Sequence, residues 1–269
     1  MVTRGASREL IVAASGLILV SRLVEAPTAW LVGLLVLAAV GLATLQALGE
    51  SDAPAAAAGV PVESLAIPAA AAFAAFGAIR LVPVGIGLVP AVIAAAWLLS
   101  RALATEARLL AAPGGASGAD RTAILVQALV IAFLAFIGIA ALVPGGLPEP
   151  GSGSVAPTGP ELALLAGADA VIAFLLGYRA GSLRSTNFRD VAWFGLTSAI
   201  VVAIGAVAIR AMEIPRLLGP ALLVVVLFLW DAVHASQPAR RRDPRRLWET
   251  MLLLVLGIVV AAWSVRLRG

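Results

Sequence analysis

Asp169 is the charged residue best placed to take part in proton transfer or ion binding, because it lies inside a long apolar stretch. If that stretch crosses a membrane, insertion scales put the cost of the charge near its centre at about 2.5–3.5 kcal/mol, so such a residue normally has a function or a partner. Asp169 could take up and release a proton, bind a cation, or pair with an arginine from another helix. A purely structural buried ion next to Gly167 and Ala168 is an equally good interpretation.

Two arginines, Arg80 and Arg210, lie at the ends of apolar stretches, and a proline-bearing segment follows each of them. A helix amino terminus offers free N–H groups and a positive dipole end. A guanidinium binds phosphate or carboxylate through two parallel hydrogen bonds. These groups would together suit a small anion or an anionic lipid headgroup. Two alternatives stay open, namely neutralisation of Arg210 by the nearby Glu213 and snorkelling of the arginines, Arg216 included, to the lipid headgroups.

Asp231 and His234 are three residues apart and share one face of a helix. Such a pair could relay protons or supply two metal ligands. Both lie just before the arginine-rich stretch 239–246, so an interfacial salt bridge with Trp230 as an anchor is the favoured interpretation. No catalytic residue and no metal site is predicted. The candidate substrate-binding residues are Asp169, Arg80, Arg210, Asp231 and His234.

The residue types that are absent exclude several classes of mechanism. The chain of 269 residues has no cysteine and one histidine, and its 19 basic residues are all arginine. Without lysine no Schiff base can form, which excludes retinal and pyridoxal chemistry. Without cysteine there is no thiol catalysis, disulfide or iron–sulfur cluster. One histidine cannot build a multi-histidine metal site within one chain, and we therefore expect no cofactor.

The elements that must position these residues are membrane-spanning helices. The composition is 61% hydrophobic and 13% charged with a mean hydropathy of +1.04, whereas a soluble domain is roughly half apolar and a quarter charged. A helix needs about 20 apolar residues to cross a bilayer. The sequence therefore predicts an all-α polytopic membrane protein, with a single transmembrane domain over residues 1–269. Seven segments meet the length requirement: 28–48, 84–104, 123–143, 161–181, 191–211, 214–236 and 247–265.

Two further segments raise the predicted count to nine. Residues 65–82 are mostly alanine, which faces lipid poorly but permits close helix approach, so we expect this span inside the bundle. Residues 10–24 form a short apolar run between charged residues, and runs of that length are often interfacial. Eight spans, with 10–24 lying along the membrane surface, are the alternative.

The distribution of arginines predicts the orientation, because cytoplasmic loops carry the excess of positive charge. Three arginine-rich connections, those after the fourth and sixth spans and before the last, share one side of the membrane. With nine spans, thirteen arginines lie inside and six outside. The amino terminus is then cytoplasmic and the carboxyl terminus external, in a cell inner membrane.

A short sequence match raises the question of an internal duplication. The tripeptide Ala-Ile-Arg occurs at 78–80 and at 208–210, and each copy precedes a proline-bearing segment. The copies are four spans apart, which predicts a parallel duplication with halves 10–104 and 123–236 followed by the final helix 247–265. Short matches between abundant residues also arise by chance.

Three classes of function fit these features. The leading hypothesis is a small transporter of lipid-linked or anionic substrates, in which Asp169 and an arginine line a common aqueous cavity. An accessory or scaffold subunit would instead have a compact interior and a large apolar lateral surface. A membrane-embedded enzyme is the third class, and the sequence favours a non-enzyme. The chain has two aspartates on predicted helices and Pro-Ala-Leu at 220–222, and in this it resembles intramembrane aspartyl proteases. However, the GxGD motif of that family is missing, and Pro-Ala-Leu precedes the second aspartate instead of following it.

The expected partners follow from the same composition. The lipid bilayer is the environment, and an anionic lipid or a small anion is the expected ligand. Association with a second copy or with another membrane protein stays open. Nucleic-acid binding is excluded because the chain has no basic soluble module with interleaved aromatic residues.

Overall fold

The computed structural model describes residues 4–25, 28–50, 59–112, 117–143, 146–147, 157–212, 214 and 217–235. Within these ranges the chain is all-helical without strands, which confirms the predicted fold class. The α-helices in chain order are α1 Arg4–Ser21, α2 Thr28–Gly49, α3 Ala66–Ala78, α4 Leu88–Ala111, α5 Gly118–Leu142, α6 Gly159–Ser182, α7 Phe188–Ala211 and α8 Leu218–Ala235.

Six helical segments of the described chain are long and apolar enough to cross a membrane, so this is a multi-pass membrane protein. They are α2, α4, α5, α6, α7 and the segment Val62–Leu81, which contains α3 and the short 3-10 turns on either side of it. α8 is a shorter apolar helix, and α1 carries the charges of Arg8 and Glu9. The count of nine is therefore not established. The predicted span 247–265 and the arginine-rich stretch before it lie outside the described residues.

Several helices extend beyond the apolar segments that predicted them, and charged residues move from predicted loops into helices. α4 continues to Ala111 instead of ending at 104, so Glu106 and Arg108 are helical. Hydropathy falls at these charges, but alanine, leucine, glutamate and arginine are all strong helix formers, and the backbone helix persists. α5 begins earlier than predicted, because Ser117 and Asp120 form a capping box at its amino terminus.

The alanine-rich helix α3 lies at the centre of the bundle. All but one of its 13 residues are buried, and it packs against α2, α4, α5 and α6. Across the whole segment Val62–Leu81, 78% of the residues in the apolar window are buried, compared with 22% for α7. This confirms the prediction that the span lies inside the bundle. Small side chains allow such close approach of neighbouring backbones.

Two close helix contacts establish relative helix directions. A Cβ atom on Gly77 would lie 2.5 Å from the Cα of Gly138, so α3 and α5 touch backbone to backbone near the carboxyl ends of both and run parallel there. A Cβ atom on Gly177 would lie 2.6 Å from Oγ of Ser198, near the middle of α7. A Cβ atom on Gly181 would lie 3.4 Å from the Cα of Val191, which places the end of α6 beside the start of α7. These two helices are therefore antiparallel.

The bundle consequently has two ends, named here after one arginine at each. At the Arg80 end, α3, α5 and α7 finish and α6 begins. At the Arg179 end, α4 and α6 finish and α5 and α7 begin. Charged side chains from different helices meet near both ends, while the lateral surface is apolar.

The lateral surface of α7 illustrates the fit to a bilayer. Large apolar residues recur along it at spacings of three and four, which is one face of a helix. All of them are exposed: Trp193, Leu196, Ile200, Ile204 and Val207. In a bilayer this face contacts lipid chains.

Candidate functional site

The predicted membrane aspartate forms a buried ion pair with one of the two predicted arginines. Arg210 Nη2 lies 2.7 Å from Asp169 Oδ2, and the two side chains are 10% and 0% exposed. Asp169 is in the first half of α6, and Arg210 is the penultimate residue of α7. The sequence left three roles open for Asp169, and the structure shows one of them, pairing with an arginine from another helix.

The register of α6 and α7 explains how the two residues meet. Asp169 lies eight residues before Gly177, and Arg210 lies twelve residues after Ser198, which packs on that glycine. Because the helices are antiparallel, the Cα of Arg210 is about four residues, or about 6 Å, nearer to the Arg80 end than that of Asp169. The arginine side chain spans this offset by extending toward the middle of the bundle. It does not snorkel outward.

The hydrogen bonding of this pair is incomplete. Neither carboxylate oxygen of Asp169 has a hydrogen-bond partner among the described residues, and neither does Nη1 of Arg210. The 2.7 Å contact is thus an ion pair without the two parallel hydrogen bonds of a fully aligned arginine–carboxylate pair. Buried polar groups are usually satisfied, and an exception of this kind needs a reason.

A second buried ion pair, between Glu106 and Arg179, lies toward the Arg179 end. Arg179 Nε donates to Glu106 Oε1 at 2.9 Å and Nη2 donates to Oε2 at 2.5 Å, which is the two-point geometry of an arginine–carboxylate pair. The glutamate side chain is fully buried. Arg179 Nη1 also donates to Ser182 Oγ at 3.1 Å, and Ser64 makes a hydrogen bond to Glu106.

Sequence reasoning missed this second pair. The predicted span ended at 104, which left Glu106 in a loop, and Arg179 was counted among the charges that set the orientation. A signal existed, because the helix-forming residues continue past 104 to Ala111 and carry Glu106 into the bundle. Which arginine it would meet depends on how α4 and α6 both pack against α3, and no single segment encodes that locally.

Arg80 has a different environment from Arg210. Its Nη1 donates to the backbone carbonyls of Val24 at 3.0 Å and Ser21 at 3.3 Å, and Nη2 also donates to Val24. These carbonyls belong to the carboxyl end of α1 and the turn after it, where a helix lacks its own donors and its dipole is negative. Arg80 therefore caps α1 instead of joining Asp169. The predicted site with two free guanidinium groups is not the arrangement found, because each arginine has an internal partner.

Asp231 and His234 do not act on each other. Arg184 Nη2 donates to both oxygens of Asp231 at 2.7 Å, which confirms the predicted salt bridge at this helix end. His234 Nδ1 lies 3.0 Å from the carbonyl oxygen of Trp230, and its ring packs on the Trp230 ring at 3.9 Å between centroids. The proton relay or metal-ligand pair is therefore not formed. No group of three or more potential metal ligands occurs in the described part of the chain.

A small cavity of about 20 Å³ lies between α5, α6, α7 and α8. That volume is enough for about one water molecule. Its lining is mostly apolar and includes Gly177, Ser198 and Asp231. Asp169 does not line it, so this cavity is not the common cavity predicted for Asp169 and an arginine.

Comparison of the chain with protein-family models, with curated proteins and with solved structures gave no match. The arrangement of charges does not support an aspartyl-protease pair. Asp169 and Asp231 lie toward opposite ends of the bundle and each pairs with its own arginine, whereas two carboxylates that share a proton must touch.

Proposed function

We propose that this protein is a small carrier of an anionic substrate, with Arg210 as the anion-binding group and Asp169 as its internal counter-ion. The observation that carries the proposal is the buried and incompletely hydrogen-bonded contact between these two side chains. An intramembrane ion pair of this kind marks a substrate or proton pathway by default.

The comparison between the two buried pairs supports this choice. Glu106 and Arg179 use two parallel hydrogen bonds and two serines, as expected for a contact that holds helices together. Asp169 and Arg210 approach to 2.7 Å, and three of their polar atoms have no hydrogen-bond partner in the described chain. Groups left unsatisfied in a buried site are available to a ligand or to a proton.

The proposed mechanism exchanges one partner of Arg210 for another. In the resting state Asp169 balances the guanidinium charge. Protonation of Asp169 removes its charge and frees Arg210, which then binds the substrate anion through two parallel hydrogen bonds. One proton and one monovalent anion enter together, so the net charge of the site does not change. Deprotonation of Asp169 restores the internal pair and releases the anion.

Uptake of a panel of anions into proteoliposomes tests this function. The purified protein is reconstituted, and uptake of radiolabelled inorganic phosphate and methanesulfonate, both monovalent in mildly acidic buffer, is followed with and without an inward proton gradient, with protein-free liposomes as the blank. We expect the gradient to drive uptake of at least one of them. Arg210→Gln should reduce that uptake at least about tenfold, because a lost charge-assisted hydrogen bond costs about 1.5–3 kcal/mol. In Asp169→Asn, uptake should no longer respond to the gradient.

A matched control removes a guanidinium from the other end of the bundle. Arg184→Gln breaks the Arg184–Asp231 pair and should leave anion uptake unchanged. The proposal would be rejected if no panel anion were taken up, or if Arg210→Gln transported as well as the original protein.

An accessory subunit of a membrane complex is the second candidate, and the packing of α3 favours it. A backbone contact such as that between Gly77 and Gly138 makes a compact interior, and the exposed apolar face of α7 could serve a partner protein as well as lipid. This candidate predicts that the protein transports nothing alone and that Asp169→Asn changes only its stability. The proteoliposome experiment separates the two.

A further inference from the structure

We infer that the Glu106–Arg179 pair is the barrier at the far end of the proposed pathway. The substrate reaches Asp169 and Arg210 from the Arg80 end and leaves past Glu106 and Arg179. This inference rests on the proposed carrier function and assigns a role to the pair that the binding step does not use.

One face of α6 connects the two pairs. Asp169, Ile172, Leu176 and Arg179 follow one another at spacings of three, four and three, which places them along one side of a helix. All four are buried. The two charged positions are ten residues apart, or about 15 Å along the axis. The two residues between them are apolar, so the face consists of a charge at each end and an apolar section in the middle.

The Glu106–Arg179 pair joins three helical segments where a pathway along this face would have to leave. Glu106 belongs to α4, Arg179 to α6, and Ser64 to the turn that leads into α3. With both carboxylate oxygens bound to the guanidinium, these segments are held together, and passage requires the pair to separate. The contact is complete in this structure, so the inferred pathway is blocked at this pair.

The sharing of α6 makes the two pairs interdependent. The helix supplies the acid of one pair and the base of the other, and a helix moves as a rigid element. A change in the position of α6 therefore affects both pairs.

Cysteine accessibility tests the barrier directly, because the chain has no cysteine of its own. A single cysteine is introduced as Ile172→Cys, between the two pairs, and is labelled with a membrane-impermeant maleimide in right-side-out and inside-out vesicles. Val84→Cys and Ser117→Cys, exposed residues beyond the Arg80 and Arg179 ends respectively, show which side each end faces. In the otherwise unchanged chain we expect slow labelling of position 172 from the Arg179 side.

Removal of the barrier should change the labelling rate of position 172 from the Arg179 side only. Glu106→Gln keeps the shape but not the charge, and we expect position 172 to label at least about tenfold faster from the Arg179 side, which corresponds to about 1.4 kcal/mol. Asp169→Asn should accelerate labelling from the Arg80 side instead. The double variant Glu106→Arg with Arg179→Glu restores a pair and should return labelling to the slow rate. Asp190→Asn removes an exposed carboxylate at the same end of the bundle, at the start of α7, and should have no effect.

The outcomes separate a barrier from a structural contact. Unchanged labelling in Glu106→Gln, or equal acceleration from both sides, would overturn the inference. If that variant does not fold, Ser64→Ala weakens the same pair and should give a smaller, equally one-sided increase. If Asp169→Asn and the anion uptake behave as expected while Glu106→Gln changes nothing, the carrier function stands and only the barrier is rejected.

Discussion

At the residue scale, the charged side chains differ in the groups that they contact. Arg80 contacts backbone carbonyls at a helix end, whereas Glu106 and Asp169 are carboxylates buried against guanidinium groups. Burial of an ion pair is expensive, and its attraction compensates only when geometry and hydrogen bonding are good. The pair at Asp169 does not meet that condition, and a functional explanation is needed there more than elsewhere.

A double-mutant comparison measures how Asp169 and Arg210 depend on each other. Either Asp169→Asn or Arg210→Gln leaves one buried charge without its partner, which should destabilise the protein by about 3–5 kcal/mol. The double variant removes both charges and should be more stable than either single variant. Unfolding in detergent, followed by thermal or denaturant titration, gives the three values. Additive losses would show that the 2.7 Å contact contributes no coupling.

At the scale of the elements, the central fact is that helices approach each other closely at glycine residues. The contact between Gly77 and Gly138 brings α3 against α5, and that between Gly177 and Ser198 brings α6 against α7. Gly177 and Gly181 form a GxxxG sequence, and both lie against α7. This close packing sets the α6–α7 register and so determines that Arg210 meets Asp169.

Substitution of Gly77 by alanine should loosen this packing. The new Cβ atom would meet backbone atoms of Gly138 at 2.5 Å, and backbone cannot move aside as a flexible side chain does. We expect a loss of about 1–3 kcal/mol, the usual cost of overpacking a core. Gly41→Ala is the control, because nothing lies within 4 Å of its Cβ position, and it should be neutral or slightly stabilising. Equal melting temperatures for the two variants would contradict the packing argument.

At the scale of the whole molecule, α3 to α7 alternate in direction along the chain. Because Arg80 caps the carboxyl end of α1, α1 finishes at the same end of the bundle as α3. Its 18 residues span about 27 Å, close to the roughly 30 Å thickness of the hydrocarbon layer. We propose that α1 crosses the membrane, with the arginine-rich Arg179 end in the cytoplasm.

Labelling of single cysteines at both ends of α1 tests this topology. Arg8 and Leu23 are exposed at its start and just after its end. We expect Arg8→Cys to react from the cytoplasmic side, together with Ser117→Cys, and Leu23→Cys to react from the external side, together with Val84→Cys. Labelling of the Arg8 and Leu23 variants from the same side would instead support the eight-span alternative, in which this helix lies along the surface.

Much of the architecture could be predicted because hydropathy and helix propensity are properties of short segments. The long apolar stretches, the inward position of the alanine-rich helix and the presence of a charge at Asp169 within an apolar segment all follow from local composition. The helix ends were less predictable. Helix propensity and capping, as at Ser117, continue the backbone helix past the point where hydropathy falls. The internal duplication stays a prediction, and so does substrate binding by the candidate residues.

The partners of the charged residues were decided by tertiary structure alone. By itself the sequence determined that the chain is helical, that it belongs in a membrane, and that a few charges are out of place in apolar surroundings. It could not tell that Arg210 meets Asp169, that Arg80 caps α1, or that Glu106 meets Arg179. Such contacts depend on helix order, direction and register. Glycine and alanine contacts between distant segments set these, and no single segment contains the information.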